Sequence, residues 1–358
     1  MLDSYQPLRT PDGQAWAKAP SLQYLRNVDA AIFDCDGVLI DASKSYTETI
    51  LRVADLAVQK LLGRKLPWRK LGPSTILQLH RTGMFNNDWD TTYAIIMLAT
   101  LALSKAGSTE AKIQRIIKEF TESVNDHEAP AYESVNEYLR RSETKSKSSQ
   151  DSSIAKMQRK LEYPGSPPRS FMTTLFDEIY YGPKLYAQIH GPAARYYRGE
   201  GLIERERVLV SRASLDSLVT LLGIGRLAIA TGRPFLPTKH VLGSLLSYFK
   251  RDASIFLGDK DIHPELASQL SPFRKPSGKA LVYASRALSS NRLLYVGDSA
   301  EDIMMVENAR SEISALSVGV YGTSIDEANE MRFFRSRGVD LIIPTARSLS
   351  TILRSLKK

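Results

Sequence analysis

The sequence predicts an α/β fold: a parallel sheet covered by helices on both faces, with an α-helical insertion after the first strand. Three observations carry this. Short apolar runs that read as buried strands alternate with helical stretches through the last third of the 358-residue chain, a pattern that favours a parallel sheet. The first such run, Val28–Phe33, stands apart from the rest, across a long stretch from about Ser43 to Leu222 without strong strand signals. Several of the runs also end directly in Gly- or Asp-bearing turns, and the C-terminal edge of a parallel sheet is where ligands collect.

The remaining strand candidates are Arg226–Ala230, Ser254–Leu257, Arg292–Val296, Ile313–Val320 and Val339–Ile343. Helical segments lie between them at Thr238–Phe249, Gly278–Leu288 and Ala300–Ala309. Inside the insertion, Tyr46–Leu62 has helical periodicity, Asp90–Leu103 is apolar enough to pack deep, and Lys112–Val124 is amphipathic. Leu175–Tyr186 and Arg205–Leu222 also read as helices. Ser142–Ser153 is polar and Ser-rich, hence a loop, and the three prolines of Tyr163–Ser170 forbid a helix interior there. The expected division is an exposed lead-in over 1–27, a core from 28–42 and 216–358, and a helical unit over 43–215 with Ser/Pro-rich loops near 142–170.

Composition narrows the function. With 43% hydrophobic residues the chain can bury a core. No apolar stretch approaches membrane-spanning length, and the polar, Pro-containing N-terminus lacks the apolar stretch of a signal peptide, so the cytoplasm is the expected compartment. The single cysteine, Cys35, excludes an internal disulfide framework and a multi-thiolate zinc site. Strand alternation turns Cys35 away from Asp34 and Asp36, so it reads as a small hydrophobe. The five histidines, His80, His127, His190, His240 and His263, show no metal-site spacing. Net charge is +9, yet Met331–Lys358 carries seven Lys/Arg against one acid. A solvated terminal helix accounts for that as well as a polyanion-binding face does, and no nucleic-acid motif accompanies it.

Four pieces of sequence carry chemistry. Phe33-Asp34-Cys35-Asp36-Gly37 puts two carboxylates at the end of a buried strand. Asp34 can attack phosphorus or hold a metal and Asp36 can handle protons, although a strand ending in an Asx turn looks the same locally. Ala230-Thr231-Gly232-Arg233 ends a second strand with a hydroxyl, and the Gly232 and Arg233 amides can face an anion. Lys275, before the helix opening near Gly278, can neutralise carboxylates and a phosphate. Val296-Gly297-Asp298, with Asp302 four residues on, aims two acids at the same edge, an oxygen set suited to Mg²⁺. Capping of the helix at Ala300 is compatible with that role.

The order of these pieces and their flanks resembles the haloacid dehalogenase-like hydrolase superfamily, over about Val28–Asp41 and Leu227–Val320. The resemblance implies a Rossmann-like core, with the insertion standing where subfamily I members carry an α-helical cap. It implies that Asp34 is a nucleophile forming an aspartyl-phosphate, and that Asp36 protonates the leaving oxygen and then activates water. Thr231 and the Gly232 amide would bind the phosphoryl group and Lys275 would steady it. Mg²⁺ would be held by Asp34, the Asp36 carbonyl and Asp298, with Asp302 supporting it directly or through water. True dehalogenases lack the second aspartate, so Asp36 favours phosphoryl transfer. The insertion is larger than most caps of this type.

Caps of this kind select the leaving group. In Phe85-Asn86-Asn87-Asp88-Trp89-Asp90, the groups of Asn86, Asn87 and Asp88 can bind a polar leaving group, or Asp88 or Asp90 can be an N-cap with Trp89 and Phe85 as staples. Lys44, just past Asp41, is a candidate to approach the phosphate, or a plain surface lysine. The pairs Tyr180-Tyr181 and Tyr196-Tyr197 are expected to pack helices. The reading that follows is a Mg²⁺-dependent phosphatase of a small phosphorylated metabolite. A phosphomutase of the same family is the alternative, and a non-catalytic binding protein with a basic face is a third reading.

Overall fold

The computed structural model describes residues 5–357 except 67, 81, 83, 86, 105–109, 125–129, 144–151, 263 and 325. The chain forms two compact units, one from 1–43 with 206–358 and one from 44–205.

The first unit is built on an eight-stranded sheet. Its strands are β1 (Tyr5–Thr10), β2 (Gly13–Lys18), β3 (Ala30–Phe33), β6 (Leu227–Thr231), β7 (Ile255–Phe256), β8 (Arg292–Gly297), β9 (Ser314–Val320) and β10 (Leu341–Ile343). A separate ladder pairs β4 (Ile40–Asp41) with β5 (Arg207–Val208). The order across the sheet is β1-β2-β10-β9-β8-β3-β6-β7. From β3 through β6 to β7 the chain builds outward one way, and β8, β9 and β10 then build the other way. The order therefore reverses beside β3, which pairs in parallel with both β6 and β8. Such a reversal opens a crevice at the carboxyl ends of the strands.

These strands are apolar because both faces of the sheet are covered. All four residues of β3 and all five of β6 are buried. The helices Lys279–Ala287 and Ala300–Ala309 supply Leu281, Ala284, Met305 and Val306 to a core shared with Ile32, Ala228 and Tyr295. Register is specific: Phe33 stands between Ile229 of β6 and Val296 of β8, so Asp34 emerges between the last residues of those two strands.

The segment expected as an exposed lead-in over 1–27 is instead structured from Tyr5: Tyr5–Lys18 form the hairpin β1–β2, and β2 pairs antiparallel with β10, with Ile342 opposite Trp16. Alternation explains the fit, since Ala15 and Ala17 point into the core while their neighbours are less buried. Pro11-Asp12 make the two-residue turn between the paired Thr10 and Gly13, and Gly13 opens β2 at φ +138°. The basic C-terminal segment is also put to structural use. Arg335 stacks over Trp16, Arg337 pairs with Glu307, and Arg347 pairs with Asp12. Lys357 donates to the Val28 and Leu221 carbonyls. The segment ties the last helix, Ser348–Leu356, to the sheet.

The chain leaves this unit after Ser43 and re-enters at Glu206. Both crossings adjoin the β4–β5 ladder, where Asp41 stands opposite Arg207 and the two side chains pair at 2.6 Å. The helix expected over Arg205–Leu222 begins only at Arg212, because Arg207 and Val208 are drawn into this ladder and Ser211 caps the helix through a reciprocal bond with Ser214. The core accordingly resumes at 206 rather than 216.

The second unit is helical among its described residues: Trp68–His80, Asp88–Ser104, Glu110–Ser123, Ala131–Glu143, Ser153–Leu161 and Phe171–His190 follow the helix Ser43–Leu62. Asp88–Ser104 is buried nearly all round, as its apolar composition predicts, and packs against five of the others. Gly-Pro pairs break two helices, at Gly72-Pro73 and Gly182-Pro183. The second break falls inside the segment expected as an unbroken helix. Tyr180 stacks on Tyr46 at 4.6 Å and Tyr181 packs beside it. The Pro-rich break at 163–170 is a turn-rich loop, and most of the Ser-rich stretch lies outside the described residues. No helix among the described residues is long and apolar enough to cross a membrane.

Candidate active site

The site is assembled at the strand reversal. Asp34 follows β3 directly, its N–H donating to Val296 O at 2.9 Å. A tight loop comes next, in which the Leu39 and Ile40 amides both donate to the Cys35 carbonyl, at 2.8 and 2.9 Å. Gly37 is obligatory in that loop. It adopts φ +74°, and a Cβ there would lie 1.8 Å from Asp298 Oδ2. The glycine thus lets the Asp34–Asp36 loop close onto the end of β8.

Lys275 and Asp302 organise the other side. Lys275 Nζ lies 3.1 Å from Asp34 Oδ2 and 2.6 Å from Asp302 Oδ1. Asp302 is fully buried and both its oxygens are engaged. Oδ1 also accepts from Tyr295 Oη at 2.8 Å. Oδ2 accepts from the Asp298 and Ser299 amides, each at 3.1 Å, and from Ser299 Oγ at 2.7 Å. Ser299 and Asp302 together form the capping box of the helix Ala300–Ala309, so capping and site-building coincide. Gly297 admits this packing, since a Cβ on it would come within 2.4 Å of the Asp302 side chain.

The electrostatics follow from crowding acids in a buried place. Burial pushes the Asp34 carboxyl up to about 6; Lys275 opposes this, while Asp302 and Asp36 add to it. Asp298 is pushed well above the usual carboxylate range by burial and then by Asp302 and Asp34. Asp302 goes the other way. Burial raises it, but the Lys275 charge and the hydrogen bonds from Lys275, Ser299 and Tyr295 outweigh burial and hold it below the ordinary value. Burial would lower Lys275, yet Asp302 and Asp34 keep it well above the usual lysine range.

The residues present fit a divalent cation. Asp34, Asp298 and Asp302 each offer an oxygen, all within 4.8 Å of one another. Asp34 Oδ1 is buried with no hydrogen-bond partner among the described residues, an expensive arrangement that a cation would relieve. Asp34 and Asp298 are the acids placed to lend oxygens, whereas Asp302 has its oxygens committed to five donors.

At the end of β6, Thr231 is buried and its Oγ1 accepts the Arg233 amide at 3.2 Å. That amide therefore serves the turn itself rather than an incoming anion. Gly232 is exposed, and a Cβ on it would meet nothing within 4 Å. Arg233 turns its buried guanidinium inward, donating to Asp36 Oδ1 at 2.8 Å and to Glu206 Oε2 at 2.6 Å. Glu206 and Tyr295 were not singled out in the sequence. Glu206 has no motif around it, and Tyr295 reads as one more apolar position of β8.

The second-unit candidates are described by themselves. Lys44 is exposed in the first turn of its helix. Asn86 lies outside the described residues. Asn87, rather than Asp88 or Asp90, caps the helix Asp88–Ser104, its Oδ1 accepting from the Trp89 and Asp90 amides at 2.8 and 3.4 Å. Asp90 instead accepts from Tyr163 Oη at 2.7 Å. Cys35 is buried, and burial pushes its thiol up, away from nucleophilic reactivity. His190 pairs with Asp177 at 2.8 Å, and His127 and His263 lie outside the described residues.

Comparison with known proteins bears on the family and the fold. No curated protein matches the sequence. A crystal structure from a structural genomics consortium is similar at a TM-score of 0.60 and 18% identity, covering 92% of this chain and 99% of that one. Phosphatase Tt82 from Thermococcus thioreducens is similar at a TM-score of 0.52 and 22% identity, covering 86% and 99%. At these identities the likeness is one of fold. A family model described as haloacid dehalogenase-like hydrolase matches residues 28–310. With its strand reversal, its acid cluster and this match over most of its length, the chain belongs to the haloacid dehalogenase-like hydrolases.

Proposed function

We propose that the protein is a Mg²⁺-dependent phosphatase that hydrolyses a small phosphorylated metabolite through an aspartyl-phosphate on Asp34. One observation carries the reading: Asp34 is buried against Lys275, close to Asp298, with an oxygen that has no hydrogen-bond partner among the described residues, and a second acid, Asp36, stands two residues on.

The residues divide the work. Asp34 supplies the attacking carboxylate oxygen. Lys275, at 3.1 Å, holds that carboxylate and balances charge on the phosphoryl group. Asp36 gives a proton to the leaving oxygen and takes one from the water that cleaves the intermediate. Thr231 and the open Gly232 amide bind phosphoryl oxygens. Asp302 keeps Lys275 and Asp298 in place. Asp34, Asp298 and the Asp36 carbonyl would hold Mg²⁺, which, when bound, offsets the repulsion between carboxylate and phosphate dianion. Covalent catalysis splits the hydrolysis into two easier displacements.

The test is turnover of p-nitrophenyl phosphate and of a panel of phosphorylated metabolites with Mg²⁺. Asp34→Asn is expected to lose at least about a thousandfold in kcat while melting as a folded protein. Full activity in that variant would remove Asp34 from the nucleophile's role.

A further inference from the structure

We propose that the buried Arg233–Glu206 pair is a positioning device that fixes the Asp36 carboxylate for proton transfer to the leaving group, an inference that rests on the phosphatase reading above. The geometry is a chain of three side chains. Asp36 Oδ1 accepts from Arg233 Nη1 at 2.8 Å, and Glu206 Oε2 accepts from Nη2 at 2.6 Å. The Arg233 and Glu206 side chains have no solvent exposure, whereas that of Asp36 is 36% exposed. One end of the Asp36 carboxylate is thus tied to the interior and Oδ2 is left for chemistry.

A guanidinium suits this task, because its planar fork sets two partners in fixed directions at once. A lone buried guanidinium would be costly, and Glu206 offsets its charge. Arg233 therefore contributes direction to Asp36 with little net charge. Glu206 is itself anchored, as the residue just before β5, whose Arg207 and Val208 pair with β4, the strand that closes the Asp36 loop. Arg233 is anchored at its other end by its backbone N–H, which donates to Thr231 Oγ1. The loops after β3 and β6 and the start of β5 are joined through one arginine.

The step served balances as follows. An Asp34 oxygen forms a bond to phosphorus as the ester P–O bond breaks, and the Asp36 proton passes to the departing oxygen. Water then bonds to phosphorus as the Asp34–phosphorus bond breaks, its proton returning to Asp36. The products are the alcohol and inorganic phosphate.

The experiment exploits the fact that p-nitrophenolate leaves readily unprotonated while an alkoxide does not. Full-length wild type, Glu206→Gln and Arg233→Lys are compared with Mg²⁺ on p-nitrophenyl phosphate, phenyl phosphate and an alkyl phosphate. Each variant is expected to lose kcat at least about tenfold more on the alkyl ester than on p-nitrophenyl phosphate, with KM changing less than about threefold. In an Asp36→Asn background neither change should alter the leaving-group dependence further. A uniform loss across the esters, or losses additive with Asp36→Asn, overturns the positioning role while leaving the phosphatase reading intact. Absence of Mg²⁺-dependent turnover by the wild type on every ester sinks both.

Discussion

Asp302 and Asp298 are two acids of one cluster, and the structure predicts opposite consequences for removing them. Asp302→Ala deletes a fully buried carboxylate that accepts five hydrogen bonds and pairs with Lys275. Breaking a buried ion pair from one side costs about 3–5 kcal/mol. Loss of the capping box adds roughly 1 kcal/mol, while the remaining Asp34–Lys275 contact and the Tyr295 bond to the Ala230 carbonyl offset part of the damage. A net cost of about 4 kcal/mol in a unit of this size lowers the melting temperature by roughly 8–16 °C. Asp298→Asn does the reverse. It removes an acid that burial and its acidic neighbours oppose, so in the absence of Mg²⁺ its melting temperature should equal or exceed the wild-type value. Calorimetric melts of the three proteins in EDTA decide the matter. An Asp302→Ala melt within about 2 °C of wild type, or an Asp298→Asn melt depressed as far as that of Asp302→Ala, would refute the division of the cluster into a scaffold acid and a ligand acid.

Three further outcomes are expected. Gly37→Ala should reduce phosphatase kcat by on the order of a hundredfold, because its Cβ would displace Asp298 and its φ of +74° disfavours any side chain; steady-state kinetics at saturating Mg²⁺ measure this. Mg²⁺ at about a hundred times its dissociation constant should stabilise the wild type by about 2.7 kcal/mol, and Asp298→Asn should abolish the shift, as thermal melts with and without EDTA would record. Ala17→Asp, which buries a charge between β1 and β10, should destabilise the protein by about 3 kcal/mol or more, seen as a lower denaturation midpoint; an unaltered midpoint would detach the N-terminal hairpin from the sheet.

The parallel strands were legible because burial on both faces leaves β3, β6 and β8 almost wholly apolar. Asp34 and Asp298 stood out because each directly follows a buried strand, whereas Lys275 was marked only by the turn before the helix Lys279–Ala287. The rest was hidden for identifiable reasons. Pro7 of β1 and the small alanines of β2 read as an exposed lead-in, although an edge strand tolerates proline and a paired strand packs alanine closely. β5 is two residues long and exists only because β4 lies opposite. The helix break at Gly182-Pro183 was written in the residues, but flanking apolar periodicity masked it. Arg233 could be noticed as part of a Thr-Gly-Arg turn. Its partner Glu206 could not, since a pair spanning 27 residues across a turn and a helix leaves no local pattern.

The β4–β5 ladder has one more implication. Neighbouring strands stand about 5 Å apart, so the 162-residue excursion from Lys44 to Arg205 begins and finishes at almost the same point on the catalytic half. A guest segment whose ends meet so closely costs its host little chain entropy, whatever its length. Helical modules of other sizes, provided their termini converge, should be exchangeable at this doorway without rewriting the sheet.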